Sequence, residues 1–205
     1  MLMERSEENP ILLPRHDTDW EAEAVFNGCP VLDEKTIHFL YRALSREQKI
    51  ENAELPVSSI GYAASRDGIH FSGRRQIIKP DRAWDKFGCE DPRVTQLNGK
   101  FYIFYTALSH YPFRPEGIRV GLAITRDFIK RDAKHPITTF NAKAMALFPE
   151  KIGGKFAAVL AVNTDMPPSY AAIAFFDREQ EMWSPEFWEA WRRNVHHFAL
   201  PLVRD

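Results

Sequence analysis

Short apolar runs, each preceded by a turn, follow one another along most of this 205-residue chain. The run at 100–107 follows Asn98-Gly99, two residues that supply the positive φ angles of a tight hairpin turn. Similar turns and runs occupy 33–43 and 153–162. Short apolar runs bounded by turn residues predict β-strands rather than helices, so the sequence favours an all-β fold.

A second sequence element recurs after each of these runs. Residues 61–67 match 121–127 almost position by position, and 172–178 are a looser version of the same element. A repeat of roughly 50 to 60 residues, built of short strands and turns, is typical of β-propeller blades. We therefore predict one β-propeller domain over 1–205. The predicted blades are 24–80, 89–134 and 140–183.

Two segments depart from the strand pattern. Residues 45–56 are polar and predict an exposed loop inside the first blade. Near the end of the chain, 185–197 predict a single helix, with Ser184 as its N-cap and Pro185 at the first helical position. We interpret the apolar stripe on that helix as packing rather than as a ligand platform. The stripe consists of Phe187, Trp188, Trp191 and Val195.

Composition and charge exclude several classes of function. The formal net charge is −1 and there is no basic stripe, so the chain has no general attraction for nucleic acid or an anionic membrane. No apolar run is long enough to span a bilayer, and the charged start of the chain lacks the apolar core of a secretion signal. Cys29 and Cys89 are too few for a disulfide framework and lack metal-site spacing. We expect a cytoplasmic, reduced protein without a metal.

The segment 88–95 carries the most distinctive polar residues of the chain. Two adjacent carboxyl groups, Glu90 and Asp91, precede Pro92 and Arg93 at the start of a predicted strand. Because proline restricts the residue before it, we predict an extended conformation for Asp91. An acid fixed beside a guanidinium suits sugar chemistry, and it also suits a surface ion pair. On residue types alone, the ion pair is the more frequent case.

Five segments in series resemble glycoside hydrolase family 130, whose members are five-bladed β-propellers that act on β-mannosides. The segments are 24–27, 40–43, 60–68, 90–95 and 147–152. Most members of that family are inverting phosphorylases, and some are inverting hydrolases. The resemblance is clearest over 9–163 and implies that the chain holds about three of the five blades. We therefore expect a fragment of a longer protein, in preference to a degenerate relic or a propeller that a partner chain completes.

The resemblance also implies roles for individual residues. Asp91 matches the catalytic proton donor of the family, and Asn27 and Arg42 match positions that hydrogen-bond the mannosyl hydroxyl groups. Glu90 and Arg93 flank the acid and are expected to contribute to substrate binding. A second carboxylate would raise the proton affinity of the acid and a guanidinium would lower it, and the sequence does not decide which effect is larger.

The phosphate side of the site departs from the family pattern. Lys143 matches a basic phosphate ligand, but Ala161 stands where the phosphorylases carry an arginine, which puts phosphorolysis in doubt. Inorganic phosphate would be the co-substrate of a phosphorylase, and no other cofactor is expected. A hydrolase would need a second carboxylate instead, for which Glu150 is the nearest candidate. Gly28 replaces a serine of some members and thins the sugar contacts.

The sequence thus predicts a glycosidase or glycoside phosphorylase that cleaves β-mannosides with inversion. The alternative is a sugar-binding propeller remnant without turnover, which Ala161, Gly28 and the short chain favour. A propeller of the arabinan- or fructan-cleaving families fits less well, because Asn27 stands where those families typically carry an aspartate. The expected partner is an oligosaccharide, and a homo-oligomer or a partner chain could supply the remaining blades.

Overall fold

A computed structural model describes residues 6–200, and strands dominate it. In chain order the strands are β1 (Ala24–Asp33), β2 (Thr36–Ile50), β3 (Ala53–Ser65), β4 (Ser72–Ile78), β5 (Gly88–Leu97), β6 (Lys100–Leu108), β7 (Ile118–Thr125), β8 (Arg131–Pro136), β9 (Ala142–Leu147), β10 (Phe156–Val162) and β11 (Tyr170–Phe176). The predicted all-β fold is therefore confirmed. The predicted loop at 45–56 is wrong, because β2 and β3 continue through it as a long hairpin.

The strands form three antiparallel blades. Blade one consists of β1 to β4, blade two of β5 to β8, and blade three of β9 to β11. One parallel backbone pair, Ser58 with Gly88, links the first two blades into a continuous sheet. Within residues 6–200 the blades do not close into a ring, so the described part of the chain is a partial propeller.

Apolar side chains fill both seams between the blades. Leu40 and Ile60 of blade one pack with Ile103 and Tyr105 of blade two in one cluster. A larger cluster joins blade two to blade three and includes Trp188 from the C-terminal region. Burial of these apolar faces holds the blades side by side. It also fixes the register of each strand, and therefore which face carries its polar residues.

Blade one contains a buried group of aromatic and charged residues. Trp20 stacks on Tyr41 with ring centroids 6.3 Å apart. Tyr41 Oη donates to Glu21 Oε2 at 2.8 Å, and Arg74 forms an ion pair with the same oxygen at 2.6 Å. Gly61 pairs with Tyr41 across β2 and β3, and a Cβ atom at Gly61 would lie 2.4 Å from the tyrosine ring. The glycine is therefore required by the close approach of the ring.

Blade two repeats the same group. Trp84 stacks on Tyr105 at 6.2 Å, and Tyr105 Oη donates to Asp85 Oδ2 at 3.1 Å. Lys134 forms an ion pair with that oxygen at 2.5 Å. A Cβ atom at Gly121 would lie 2.5 Å from the ring of Tyr105. The sequence match between 61–67 and 121–127 thus reflects one packing motif used twice.

Blade three replaces this motif with aliphatic packing. Leu160 and Ala172 form the pair that corresponds to Tyr41 with Gly61 and to Tyr105 with Gly121. Both Leu160 and Ala172 are buried. Because no tyrosine ring lies opposite it, Ala172 can carry a methyl group where the other two blades need a glycine. This difference explains why the third sequence repeat is looser.

The C-terminal region is helical, as predicted, but the predicted single helix is divided in two. The helices are α1 (Pro185–Arg193) and α2 (Val195–Phe198). The Ser184 side chain accepts a hydrogen bond from the Phe187 amide at 3.1 Å, so the predicted N-cap is confirmed. Asn194 ends α1, because its backbone leaves the helical region and its side chain donates to the Ala190 carbonyl at 3.1 Å.

The apolar stripe of α1 packs on the blades, as predicted. Trp188 and Trp191 are buried in the cluster between blades two and three, and the indole of Trp191 donates to the Ile173 carbonyl at 3.2 Å. Trp183 lies just before α1 and stacks on His135 at 4.3 Å. Among residues 6–200, none of the helices has the length and apolar character needed to cross a membrane.

Candidate active site

The first strand of each blade is interrupted by a β-bulge at the same relative position. One residue in each bulge has a left-handed backbone: Asn27 with φ 50°, Asp91 with φ 51° and Ala144 with φ 51°. The pairing register shifts at each of these points. A bulge turns a side chain out of the regular alternation of its strand, so Asn27, Asp91 and Ala144 each leave the alternation of their own strand.

The predicted extended conformation of Asp91 is wrong. Pro92 favours the β region for the residue before it, but the bulge places Asp91 in the left-handed region instead. Aspartate and asparagine visit that region more readily than other residues with a side chain. The residue types at positions 27 and 91 therefore fit their backbone as well as their proposed chemistry.

The two bulges of blades one and two bring the predicted acid and its partners together. Asn27 Nδ2 donates to Asp91 Oδ1 at 2.7 Å, and Arg42 Nη1 lies 3.5 Å from the same oxygen. Arg42 also forms an ion pair with Glu90 Oε1. Arg42 Nε donates to Ser58 Oγ at 2.9 Å, and Ser58 Oγ donates to Glu90 Oε1 at 3.2 Å. We call these five residues the acid cluster.

The two carboxyl groups of the acid cluster have different environments. Burial raises the pKa of Glu90, and the nearby charge of Asp91 adds to the effect, although Arg42, Ser58 and Lys143 oppose it. The Asp91 side chain is 34% exposed, whereas that of Glu90 is 16% exposed. Asp91 is thus the carboxyl group that a ligand can reach, and Glu90 lies behind it.

Arg93 differs from Arg42 in its partners, and its expected part in substrate binding stays a prediction. Its guanidinium donates to the Pro92 carbonyl at 2.9 Å, whereas the ion pairs of Glu90 and Asp91 are made by Arg42 of β2. The guanidinium that the motif places next to the acid in sequence is therefore not the one that contacts the acid in space.

Lys143 lies one residue before the bulge of blade three, as Glu90 lies one residue before the bulge of blade two. Its Nζ forms an ion pair with Asp165 Oδ1 at 2.8 Å. Asp165 Oδ2 accepts hydrogen bonds from Asn141 at 2.9 Å and from Thr164 at 2.8 Å. Burial opposes ionisation of Asp165, but these hydrogen bonds and the charge of Lys143 together lower the pKa of its carboxyl group.

Ala161 occupies the cross-strand position opposite Lys143. The corresponding pairs in the other blades are Phe26 with Arg42 and Glu90 with Thr106. Ala161 is thus the counterpart of Arg42 in blade three, and it supplies neither a charge nor a hydrogen-bond donor from its side chain. The sequence-based expectation of a missing cation at this position agrees with the strand pairing.

Two other residues of interest have structural explanations. A Cβ atom at Gly28 would lie 2.0 Å from the ring of Phe39, so this chain cannot carry a serine there without moving that ring. Glu150 is exposed in the turn after β9 and does not join the acid cluster.

Cys29 and Cys89 are both free thiols. Within 6–200, no group of three or more potential metal ligands is gathered.

Sequence reasoning missed Ser58 and Asp165. Ser58 lies next to Ser59 in β3, and both are buried polar residues, so the sequence does not show which of the two meets the acid. Asp165 lies in the connection between β10 and β11, where no periodic pattern shows which residue its side chain meets.

Comparisons with known proteins agree with this architecture. The sequence model of glycoside hydrolase family 130, described as β-1,4-mannooligosaccharide phosphorylase, matches residues 3–191. A 1,2-β-oligomannan phosphorylase of Thermoanaerobacter sp. (strain X514) is 31% identical over 155 residues, which cover 75% of this chain and 51% of that protein. A β-1,2-mannobiose phosphorylase of the same organism is 35% identical over 162 residues, covering 74% and 52% respectively.

A solved structure shows the same fold. The β-1,2-mannobiose phosphorylase from Listeria innocua, in complex with β-1,2-mannobiose, superimposes with a TM-score of 0.65 at 22% identity. The superposition covers 84% of this chain and 62% of that one. The chain spans about half the length of the curated relatives described above.

Proposed function

This chain belongs to glycoside hydrolase family 130, and from that premise we propose that it carries the acid of an enzyme that cleaves β-mannosides with inversion. The observation that carries the proposal is the acid cluster, in which Asn27 and Arg42 both contact Oδ1 of Asp91. An amide and a guanidinium converging on one accessible carboxyl group are suited to hold a ring hydroxyl beside a proton donor.

The proposed role of Asp91 is to deliver a proton toward the departing glycosidic oxygen. Asn27 and Arg42 would bind the mannosyl hydroxyl groups and fix the ring relative to the acid. In phosphorolysis, an oxygen of inorganic phosphate forms a bond to the anomeric carbon while the glycosidic bond breaks, and mannose 1-phosphate is released. In hydrolysis, water takes the place of phosphate, a general base would accept the proton of that water, and free mannose is released. The proposed substrate in both cases is a β-linked manno-oligosaccharide.

An activity assay with an acid variant tests this proposal. We expect the protein to release mannose 1-phosphate or mannose from β-1,2- or β-1,4-mannobiose, measured with and without inorganic phosphate. Asp91→Asn should lower turnover by about 10²- to 10⁴-fold, the usual contribution of a general acid, because the amide cannot supply the proton. Affinity for the sugar should change little, since the amide keeps the shape and the hydrogen bonds.

The matched control is Asp132→Asn. Asp132 is 30% exposed and pairs with Arg126, so it represents an ordinary surface ion pair between an aspartate and an arginine. Its loss should leave turnover unchanged. Equal turnover of Asp91→Asn and Asp132→Asn would contradict the assignment of the acid.

A sugar-binding protein without turnover is the second candidate, and the absence of a side-chain donor at Ala161 favours it. Titration calorimetry with β-mannobiose separates the two candidates. Binding by the wild type without product release, and with the same affinity in Asp91→Asn, would support the binding protein over the enzyme.

A further inference from the structure

Asp165 forms an ion pair with Lys143, the residue that the family resemblance matches to a phosphate ligand. The Lys143 side chain is 32% exposed and that of Asp165 is 27% exposed, so solvent reaches both members of the pair. Asp165 is held from behind by Asn141, which is buried and donates a second hydrogen bond to the Pro115 carbonyl at 3.0 Å. The carboxylate is therefore fixed in place beside Lys143 rather than free to turn away.

The charged groups of this region do not favour an anion. We call Lys143, Asp165, Asn141 and Thr164 the lysine cluster. The cations are Arg42 in the acid cluster and Lys143 in the lysine cluster, whereas Glu90, Asp91 and Asp165 are the carboxyl groups. Lys143 is already paired with Asp165, and Arg42 is already paired with Glu90 and Asp91, so neither cation is free to bind an anion. A phosphate dianion that approached Lys143 would meet the Asp165 carboxylate within a few ångströms of the ammonium group.

We propose that Asp165 is a specificity-determining residue that excludes inorganic phosphate from Lys143. This inference rests on the proposed function, because it concerns the second substrate of the same reaction. The physical reason is that the charge of Lys143 is already compensated by a preorganised carboxylate, while the opposing strand contributes only Ala161. An anion would have to displace Asp165 or tolerate its repulsion.

Phosphate titration of charge variants tests the inference without requiring turnover. The probe is inorganic phosphate, measured by calorimetry with sulfate as a second oxyanion. Asp165→Asn removes the negative charge but keeps an oxygen that can accept from Thr164, so Lys143 becomes available. We expect this variant to bind phosphate at least about tenfold more tightly than the wild type. The double variant Asp165→Asn/Lys143→Met should lose that gain.

Asp177→Asn is the matched control, because Asp177 pairs with Lys155 at 3.0 Å in the same blade without belonging to either cluster. It should bind phosphate like the wild type. Equal phosphate affinity of the wild type and Asp165→Asn, with both proteins folded by circular dichroism, would overturn the inference.

A second variant covers the case in which Asp165→Asn does not fold. In the otherwise unaltered protein, Lys143→Met should not weaken phosphate binding, because Lys143 is already occupied by Asp165. Weakening by more than about threefold would show that Lys143 binds phosphate in the wild type and would refute the role of Asp165. Failure of the proposed function would appear separately, as absence of sugar release in the mannobiose assay.

Discussion

At the scale of single residues, the three bulge positions differ in the free-energy cost of their left-handed backbone. Asn27 and Asp91 suit a left-handed backbone, whereas alanine at position 144 is strained at φ 51°. We expect Ala144→Gly to raise the free energy of unfolding by about 1 kcal/mol, because glycine removes the Cβ clash. Urea denaturation measures the change.

Ala146→Gly is the control for this prediction, because Ala146 lies in the same strand without a positive φ angle. There the glycine should lower stability by about 0.5–1 kcal/mol through its greater freedom in the unfolded chain. A loss of stability at both positions would contradict the strain that we assign to Ala144.

Glu90 makes a predictable contribution to the pH dependence of stability. Burial raises its pKa above the ordinary value of 4.5, so the folded state retains a proton that the unfolded chain has lost. Stability from this group is complete below pH 4.5 and declines as the pH rises through the raised pKa. We expect Glu90→Gln to flatten this part of the stability profile, measured by urea denaturation at several pH values. A Glu90→Gln profile with the wild-type slope would show that the environment of Glu90 does not distinguish its two protonation states.

The candidate site was predicted from sequence only where a motif carried it. Asn27, Arg42 and Asp91 were grouped through their resemblance to family segments, and the structure places them in contact. The contacts of Ser58 and Asp165 depend on how one strand or connection meets its neighbours. Such contacts between distant parts of the chain leave no periodic trace in the sequence.

At the scale of elements, α1 is stabilised by its cap as well as by its aromatic face. The Ser184 hydroxyl accepts from the Phe187 amide, which otherwise has no partner inside the helix. We expect Ser184→Ala to lower the free energy of unfolding by about 1 kcal/mol, whereas Ser184→Asp should keep most of the stability. Thermal or urea denaturation followed by circular dichroism measures both. Equal losses in the two variants would contradict the capping role.

Sequence patterns predicted where most helices and strands lie better than they predicted where those elements end or pair. The start of α1 was predictable from a serine and a proline, but its end at Asn194 was not, because the apolar stripe continues to Val195. The β2–β3 hairpin was mistaken for a loop because its far end is polar. Strand pairing there is a property of two segments together, and composition describes only one segment at a time.

At the scale of the whole molecule, the repeat in the sequence reflects the packing inside each blade. Blades one and two share the motif of a tryptophan, a tyrosine, a glycine and a buried ion pair, and their sequences match closely. Blade three uses Leu160 and Ala172 in its place, and its sequence repeat is weak. The sequence repeat follows the motif of the first two blades, whereas the different interior of the third blade was not readable from the sequence.

The uneven placement of the five tryptophans has a spectroscopic consequence. Trp183, Trp188 and Trp191 all lie in the C-terminal region, whereas Trp20 and Trp84 are each stacked on a tyrosine in a separate blade. Intrinsic fluorescence is thus weighted toward the C-terminal helical region, while far-ultraviolet circular dichroism is weighted toward the strands. In a denaturant titration, an emission shift that precedes the loss of the strand signal would show that the C-terminal helical region detaches while the blades remain folded.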